Sequence, residues 1–290
     1  MAAMVREITA LKKELGQLKK SLSTDEDTSP IISINEITNL AQKYKLSAKE
    51  IEIASLKEGI IPIRYKRNFN TLNFTDQIKL LSSKVAVIGC GGLGGSIIEL
   101  LARLGIGTII AVDGDTFSES NLNRQQLCIE NCLGRQKTQT VIDRIKAINS
   151  GIEVIPYCQF VDEKNISKII EDADIIVDGL DNIPARFMVE NACKKLKIPF
   201  IHGAVSGLQG QVATIFPEDV GLTAIYGPLQ KYHQETAEKP VSVLSVTPSL
   251  IASLQVTEVL KVLLQRGKPL RNKLLLINLE NSGFDIVKIN

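Results

Sequence analysis

The sequence predicts an α/β protein: a Rossmann-like, doubly wound, mostly parallel sheet with antiparallel C-terminal strands and a helical N-terminal appendage. Three observations predict it. The apolar, β-branched run 85–88 ends in a glycine cluster, Gly89-Cys90-Gly91-Gly92-Leu93-Gly94-Gly95, and passes directly into a helical pattern of Ile97, Ile98, Leu100, Leu101 and Leu104. From about Ser83 to Ile201, strand and helix patterns alternate. After His202 three further strand-like runs surround one long apolar helix.

Each element has its own signal. Residues 4–22 carry Ile8, Leu11, Leu15, Leu18 and Leu22 at spacings of three and four, edged with lysines. That is a short a/d seam, read either as a coiled coil or as a frayed, partner-dependent helix. Residues 23–30 read as a flexible linker. Residues 33–58 read as two short helices, the second opened by Ser47 as N-cap with Glu50 three residues on. Strands are expected at 84–88, 107–112, 153–156, 174–177 and 199–201, with helices at 93–104, 135–148, 166–171 and 184–196, the last with proline in its first turn. Strands at 210–216, 273–279 and 284–289, around a helix at 249–264, extend the sheet. The division is a flexible or helical basic tail and linker (1–29), a small helical segment (30–68) and a nucleotide-binding domain (69–290).

Bulk properties narrow the class. A chain of 290 residues with 44% hydrophobic and 23% charged residues can bury one substantial core. A net charge of +2 gives no push toward nucleic acid or a membrane surface, and 4% aromatics argue against a base-stacking platform. The apolar tract 241–264 is broken by Ser, Thr, Gln, Glu258 and Lys261, so no spanning segment is expected. The lysine-rich N-terminus lacks the apolar centre of a secretory signal, and the cytoplasm is the expected location. Five cysteines (Cys90, Cys128, Cys132, Cys158, Cys193) form no C-x-x-C pair and read as reduced, mostly buried thiols. With only His202 and His233, a histidine-based metal site or triad has little material.

Gly89, Gly91 and Gly94 fit G-x-G-x-x-G, with Gly92 inside the turn, where backbone N–H groups and a helix N-terminus approach a phosphate. The next strand ends in Asp113-Gly114-Asp115, where an acidic residue accepts hydrogen bonds from ribose hydroxyls. To this point an NAD-dependent oxidoreductase is the natural reading, with a structural loop aspartate the plain alternative for Asp115. The aperiodic block 118–126 then holds Asn121, Arg124 and Gln125; a guanidinium here suits phosphate oxygens better than a nicotinamide site. Gly134-Arg135-Gln136-Lys137 opens a helix and places Lys137 where a phosphate could lie, unless it is a solvated charge. Asp181, at another strand terminus, could hold Mg²⁺ together with phosphate oxygens, or cap the helix before Pro184.

The order Gly-rich loop, Asp-x-Asp, Asn-Leu-x-Arg-Gln, Gly-x-x-Lys and Asp-Asn resembles the ThiF/MoeB/HesA family, prokaryotic relatives of ubiquitin-activating enzymes. The resemblance runs from Ile63 to the C-terminal strands and includes Arg64-Tyr65-Lys66-Arg67, Gly203-Ala204, Gly210-Gln211-Val212, Ser253-Leu254-Gln255 and Glu258. It implies a ThiF-type adenylyltransferase that presents the C-terminal Gly-Gly carboxylate of a small β-grasp sulfur carrier protein to ATP·Mg²⁺. Pyrophosphate leaves and an acyl-adenylate forms, ready for sulfur transfer. By motif, Asp113 would bind ribose; Asn121, Arg124 and Lys137 would contact phosphates; and Asp181 would coordinate Mg²⁺. Arg67 would reach in trans into the partner's site of a homodimer.

Two departures limit the resemblance. The paired C-x-x-C motifs that bind structural zinc in many relatives are missing, so zinc is not expected. The stretch 235–245 has no cysteine, so sulfur would come from a separate donor, and Cys193 reads as packed. The alternatives are ATP-dependent activation of a small-molecule or tRNA-bound carboxylate, a catalytically silent nucleotide-binding partner protein, and, more distantly, an NAD enzyme.

Overall fold

The computed structural model describes residues 2–22, 29–232 and 242–289, so residues 23–28 of the expected linker and most of the 235–245 stretch lie outside the described residues. The chain opens with α1 (Ala2–Leu22), β1 (Ile31–Ile32), α2 (Ile34–Tyr44), α3 (Ala48–Lys57) and β2 (Ile61–Pro62), the two short strands pairing in parallel. Ser33 and Ser47 both form capping boxes, with Glu36 and Glu50. Helices of 11 and 10 residues are marginal alone and need a shared apolar face. The face is completed by α1: Leu11 and Leu15 are buried among Ile32, Ile37, Leu40, Ile51 and Ile60. The seam of the first helix therefore packs within its own chain.

A 3₁₀ turn (Ile63–Asn68) and α4 (Phe74–Ser82) lead into the main domain. Helix α4 has only two turns of periodicity to announce it, yet Asn73 and Asp76 form a full capping box. Then follow β3 (Lys84–Ile88), α5 (Gly92–Leu104), β4 (Thr108–Val112), α6 (Lys137–Ile148), β5 (Glu153–Tyr157), α7 (Ile166–Ile170), β6 (Ile175–Asp178) and α8 (Ile183–Leu196). The chain continues through β7 (Phe200–Ser206), β8 (Gln209–Ile215), α9 (Leu222–Tyr226), α10 (Val246–Leu264), β9 (Lys273–Asn278) and β10 (Gly283–Lys288).

The eight strands lie in the order β10-β9-β8-β7-β6-β3-β4-β5. Strands β5, β4, β3, β6 and β7 are parallel, and β7 to β10 are antiparallel. Pro156 is tolerated because β5 is an edge strand. Alternate residues of the central strands enter two cores. Val85, Val87, Ala111 and Val177 pack under α5, α6 and α10, while Ala86, Ile88, Val112 and Ile176 pack under α7, α8 and α9. Strand order reverses between β3 and β6, and that is where a crevice opens at the carboxyl ends.

Helix α10 begins three residues earlier than the pattern predicts, because Pro248 falls in the first turn, where its missing N–H has no partner to lose. Among the described residues it is the one helix long and apolar enough to cross a membrane. Here that apolarity is core: Ile251, Ala252, Val256 and Val259 are buried against α5 and the sheet.

Leu15→Ala should cost about 2–5 kcal/mol of helix docking. Hydrogen exchange should show α1 and α2 exposed faster while β3 and β4 keep their protection.

Candidate active site

Three glycines make the crevice. Gly89 leaves β3 at φ +95°, and a Cβ there would meet Gly179 O at 2.5 Å. A Cβ on Gly94 would overlap Gly89 O, and one on Gly179 would meet Gly94 Cα at 2.9 Å. The turn after β3, the first turn of α5 and the turn after β6 are thus in backbone contact, held also by Gly179 N–H donating to Ile88 O at 2.8 Å. Gly91 and Gly92 face outward, toward Gln125 and toward Arg124 and Pro248. Gln125 is buried, and its Oε1 has no hydrogen-bond partner among the described residues.

Asp113 follows β4 with both carboxylate oxygens engaged: Cys90 N–H donates to one at 2.7 Å and Asp115 N–H to the other at 2.8 Å. Lys137 is the first residue of α6. A short ladder brings it here, with Phe117 N–H on Arg135 O and Lys137 N–H on Asp115 O. Its buried ammonium lies 3.1 Å from Asp115 and 3.9 Å from Asp113. Lys137 is therefore no solvated charge; it is a cation held between two carboxylates. Arg124 donates to Ser120 O and Asn123 Oδ1, both at 2.8 Å, and Asn121 accepts from Ser118 N–H.

Asp181 follows β6 and is exposed, and among the described residues its carboxylate accepts one hydrogen bond, from Asn182 Nδ2 at 3.2 Å. The helix-cap alternative does not hold for it, because Asn182 caps α8 by accepting from Ala185 N–H. Arg67 is exposed on the 3₁₀ turn and makes no hydrogen bond or ion pair among the described residues. The structure brings Gly89, Gly91, Gly92, Gly94, Asp113, Asp115, Asn121, Arg124, Gln125, Lys137 and Asp181 to one end of the sheet. Arg67 is not among them: neighbouring Tyr65 packs on Gly105, at the far end of α5. That helix of 13 residues puts about 20 Å between the two ends.

Sequence reasoning missed a buried network beneath Asp181. Asp178, wholly buried at the end of β6, accepts from Arg186 Nε at 3.0 Å and His202 Nδ1 at 2.7 Å on Oδ2, and from Leu180 N–H at 2.9 Å on Oδ1. Tyr226 and Gln211 surround His202 Nε2, each at 3.1 Å. Burial favours the neutral acid of Asp178, but Arg186 and His202 outweigh it and hold the carboxyl below its ordinary range. Burial pushes His202 below its usual value, so it stands neutral with its proton on Nδ1. The available signals were a carboxylate ending an apolar run and an arginine four residues into a helix, directly before Phe187.

Four cysteines are buried as expected; Cys158 is the correction, exposed just past the end of β5 with its thiol 2.8 Å from Gln136 Oε1. Burial pushes the Cys90 and Cys193 thiols up, away from the reactive thiolate. Among the described residues no three metal-ligating side chains gather.

Fold and crevice define a nucleotide-binding α/β protein of the doubly wound class. The profile described as the ThiF family matches residues 65–290, and the chain belongs to that family. It is 32% identical over 219 residues to the SAMP-activating enzyme E1 of Haloferax volcanii, across 73% of this chain and 78% of that protein. It is 30% identical over 231 residues to the molybdopterin-synthase adenylyltransferase of Escherichia coli, across 78% and 92%. It spans 62% of the length of the MOCS3 relative from Arabidopsis thaliana. The structure of Escherichia coli MccB with ATP superimposes with a TM-score of 0.66 at 26% identity, covering 88% of this chain and 82% of that one. The chain is an enzyme of the adenylyltransferase class for which its relatives are named.

Arg186→Met should destabilise the fold by about 3–5 kcal/mol in urea denaturation, because it leaves the Asp178 charge buried and unpaired. His202 sets a pH dependence. Its folded pKa lies below the unfolded value, so the unfolded chain binds more protons between the two, and stability falls as pH drops below about 6.5. The slope should reach at most about 1.4 kcal/mol per pH unit and should vanish in His202→Asn.

Proposed function

We propose that this chain adenylylates the C-terminal Gly-Gly carboxylate of a small ubiquitin-like sulfur carrier protein with ATP, releasing pyrophosphate. One observation carries the reading. A glycine cradle, a buried lysine held by carboxylates, and an uncommitted carboxylate meet at the switch point of a ThiF-family chain.

The residues fit a nucleoside triphosphate. The cradle leaves no room for a Cβ at Gly89, Gly94 or Gly179, and Gln125 Oε1 is a buried acceptor lacking a donor among the described residues. Phosphate oxygens would draw Lys137 from Asp115 and Arg124 from Ser120 O, exchanging intramolecular partners for charge-assisted bonds. Asp113, with both oxygens already accepting backbone N–H groups, has lone pairs left for ribose hydroxyls. Asp181 suits Mg²⁺, which takes one or two carboxylates and otherwise phosphate and water oxygens. The ion would neutralise phosphate charge. Asn121 orders the 118–121 turn that carries Arg124 toward the cradle.

The nucleophile is the carrier's own carboxylate, so no protein base is required. Catalysis then rests on in-line positioning and charge neutralisation. About 20 Å of α5 separates the mount of Arg67 from its own cradle, which supports a homodimer in which Arg67 serves the other subunit's site. Sulfur would be delivered by a separate donor. A second reading keeps the ATP site and activates a different carboxylate; it is favoured by the likeness to MccB, solved with ATP and with MccA.

ATP–pyrophosphate exchange should require a Gly-Gly-terminated carrier and fall by roughly 10²-fold or more in Arg67→Ala and in Asp181→Ala. Robust exchange in both variants rejects these roles, and exchange driven by a small carboxylate alone selects the second reading. Mixing Arg67→Ala with Asp181→Ala protomers should restore activity that neither has alone. Equilibrium binding should favour ATP over NAD.

A further inference from the structure

We propose that His202 is a positioning residue for Asp181, the near end of a buried hydrogen-bonded chain that ties the turn after β6 to β8 and α9. The proposal rests on the metal role given to Asp181 above, and extends it to residues that touch neither nucleotide nor metal.

The backbone of Leu180 is held on both sides: its N–H donates to Asp178 Oδ1 at 2.9 Å, and Arg186 Nη2 donates to its carbonyl at 2.5 Å. Asp181 is the next residue, and among the described residues its carboxylate is hydrogen-bonded by the adjacent Asn182 side chain alone. Where Asp181 stands is therefore decided by how firmly Leu180 is held, and that depends on the rotation of the Asp178 carboxylate. Arg186 and His202 both donate to the other oxygen, Oδ2, and together they lock that rotation.

His202 is held in turn. The hydrogen bonds form a connected series. Gln211 Nε2 donates to Tyr226 Oη at 2.6 Å, Tyr226 Oη and Gln211 Nε2 each lie 3.1 Å from His202 Nε2, and His202 Nδ1–H donates to Asp178 at 2.7 Å. Tyr226 also stands edge-on to the imidazole, with ring centroids 5.6 Å apart. The series crosses from β8 and α9, on the outer half of the sheet, through β7 to the end of β6. From the other face, Gln255 of α10 donates to Asp178 O at 2.9 Å and Ile201 O at 3.2 Å, pinning the backbones at the ends of β6 and β7.

Stability alone does not explain the network. Removing buried charges altogether in favour of apolar side chains is often neutral or stabilising. What the network supplies is a single geometry for the turn. Partners of this kind, one shell behind a metal ligand, typically change metal affinity 10–100-fold when removed.

The test measures binding rather than turnover. Affinity for a non-hydrolysable ATP analogue is titrated against Mg²⁺ in the full-length protein, alongside thermal melting. Asp181→Ala sets the scale by abolishing the Mg²⁺-dependent part of binding. His202→Leu should raise the Mg²⁺ needed for half-maximal enhancement about tenfold, and Tyr226→Phe should raise it several-fold, with metal-free analogue affinity unchanged in both. His202→Asn, whose side-chain amide can replace the Nδ1 donor, should recover most of the His202→Leu loss. Because Gln211 also reaches His202 Nε2, the Tyr226→Phe/Gln211→Leu pair removes both groups there and answers the question even where His202→Leu does not fold. An unchanged Mg²⁺ requirement in His202→Leu or, failing that, in the Tyr226→Phe/Gln211→Leu pair, with Asp181→Ala defective, overturns the positioning role alone. An unchanged requirement in Asp181→Ala removes the metal role of Asp181, and this proposal falls with it.

Discussion

The structure turns on a backbone contact that only glycine permits. Gly89, Gly94 and Gly179 bring the end of β3, the start of α5 and the end of β6 within van der Waals reach across the switch point. No side chain fits between them. That contact sets the depth of the crevice. It also places Asp181 beside the Gly-rich turn, although the two are far apart in sequence. Everything charged in the site is arranged around it.

The charged groups are already partnered, and this shapes how the site can work. Lys137 lies on Asp115, Arg124 on Ser120 and Asn123, and Asp113 on two backbone N–H groups. On the proposed function, a triphosphate entering the crevice would exchange partners instead of meeting bare charges. That lowers the desolvation cost of binding and tunes it through Asp115. Gln125 Oε1 and Asp181 are the exceptions, one buried without a donor and one exposed with little to hold it. The N-terminal segment is anchored by another buried group: Glu52 faces Arg64 Nε at 3.3 Å and Tyr65 Oη, and Asn149 Nδ2 donates to Tyr65. Arg64 and Tyr65 point inward to make this anchor, and Arg67 is left pointing out.

Much of the fold was legible because its signals are local. Strand β3 and helix α5 are marked by a β-branched run, a glycine turn and helical spacing, all within residues 84–104. Seven of the eight strands of the large sheet fall within one residue of where alternation and apolar runs place them, and β7 is the exception. Strand β7 runs on to Ser206 because the hairpin through Gly207 lengthens it, and pairing partners are not written in a strand's own residues. Helix α4 was missed for the same reason, since two turns carry too little periodicity. Of the site, the motif residues were legible and the Asp178–His202 network was not. Each of its members is unremarkable in its own segment, and their meeting depends on β6, β7, β8 and α9 being assembled.

The sequence by itself determined the chemistry available at the crevice: glycines for close approach, the cations Lys137 and Arg124, and carboxylates at strand ends. These choices are tied to short-range constraints of turn geometry, helix starts and residue type. Only the tertiary structure decided which of those groups are free and which are held. It put Asn182 rather than Asp181 on the helix end and buried Lys137 between two carboxylates. It also sent Arg67 to the opposite end of α5 from the crevice. Burial and partnership depend on packing between distant segments, and no stretch of sequence specifies that alone.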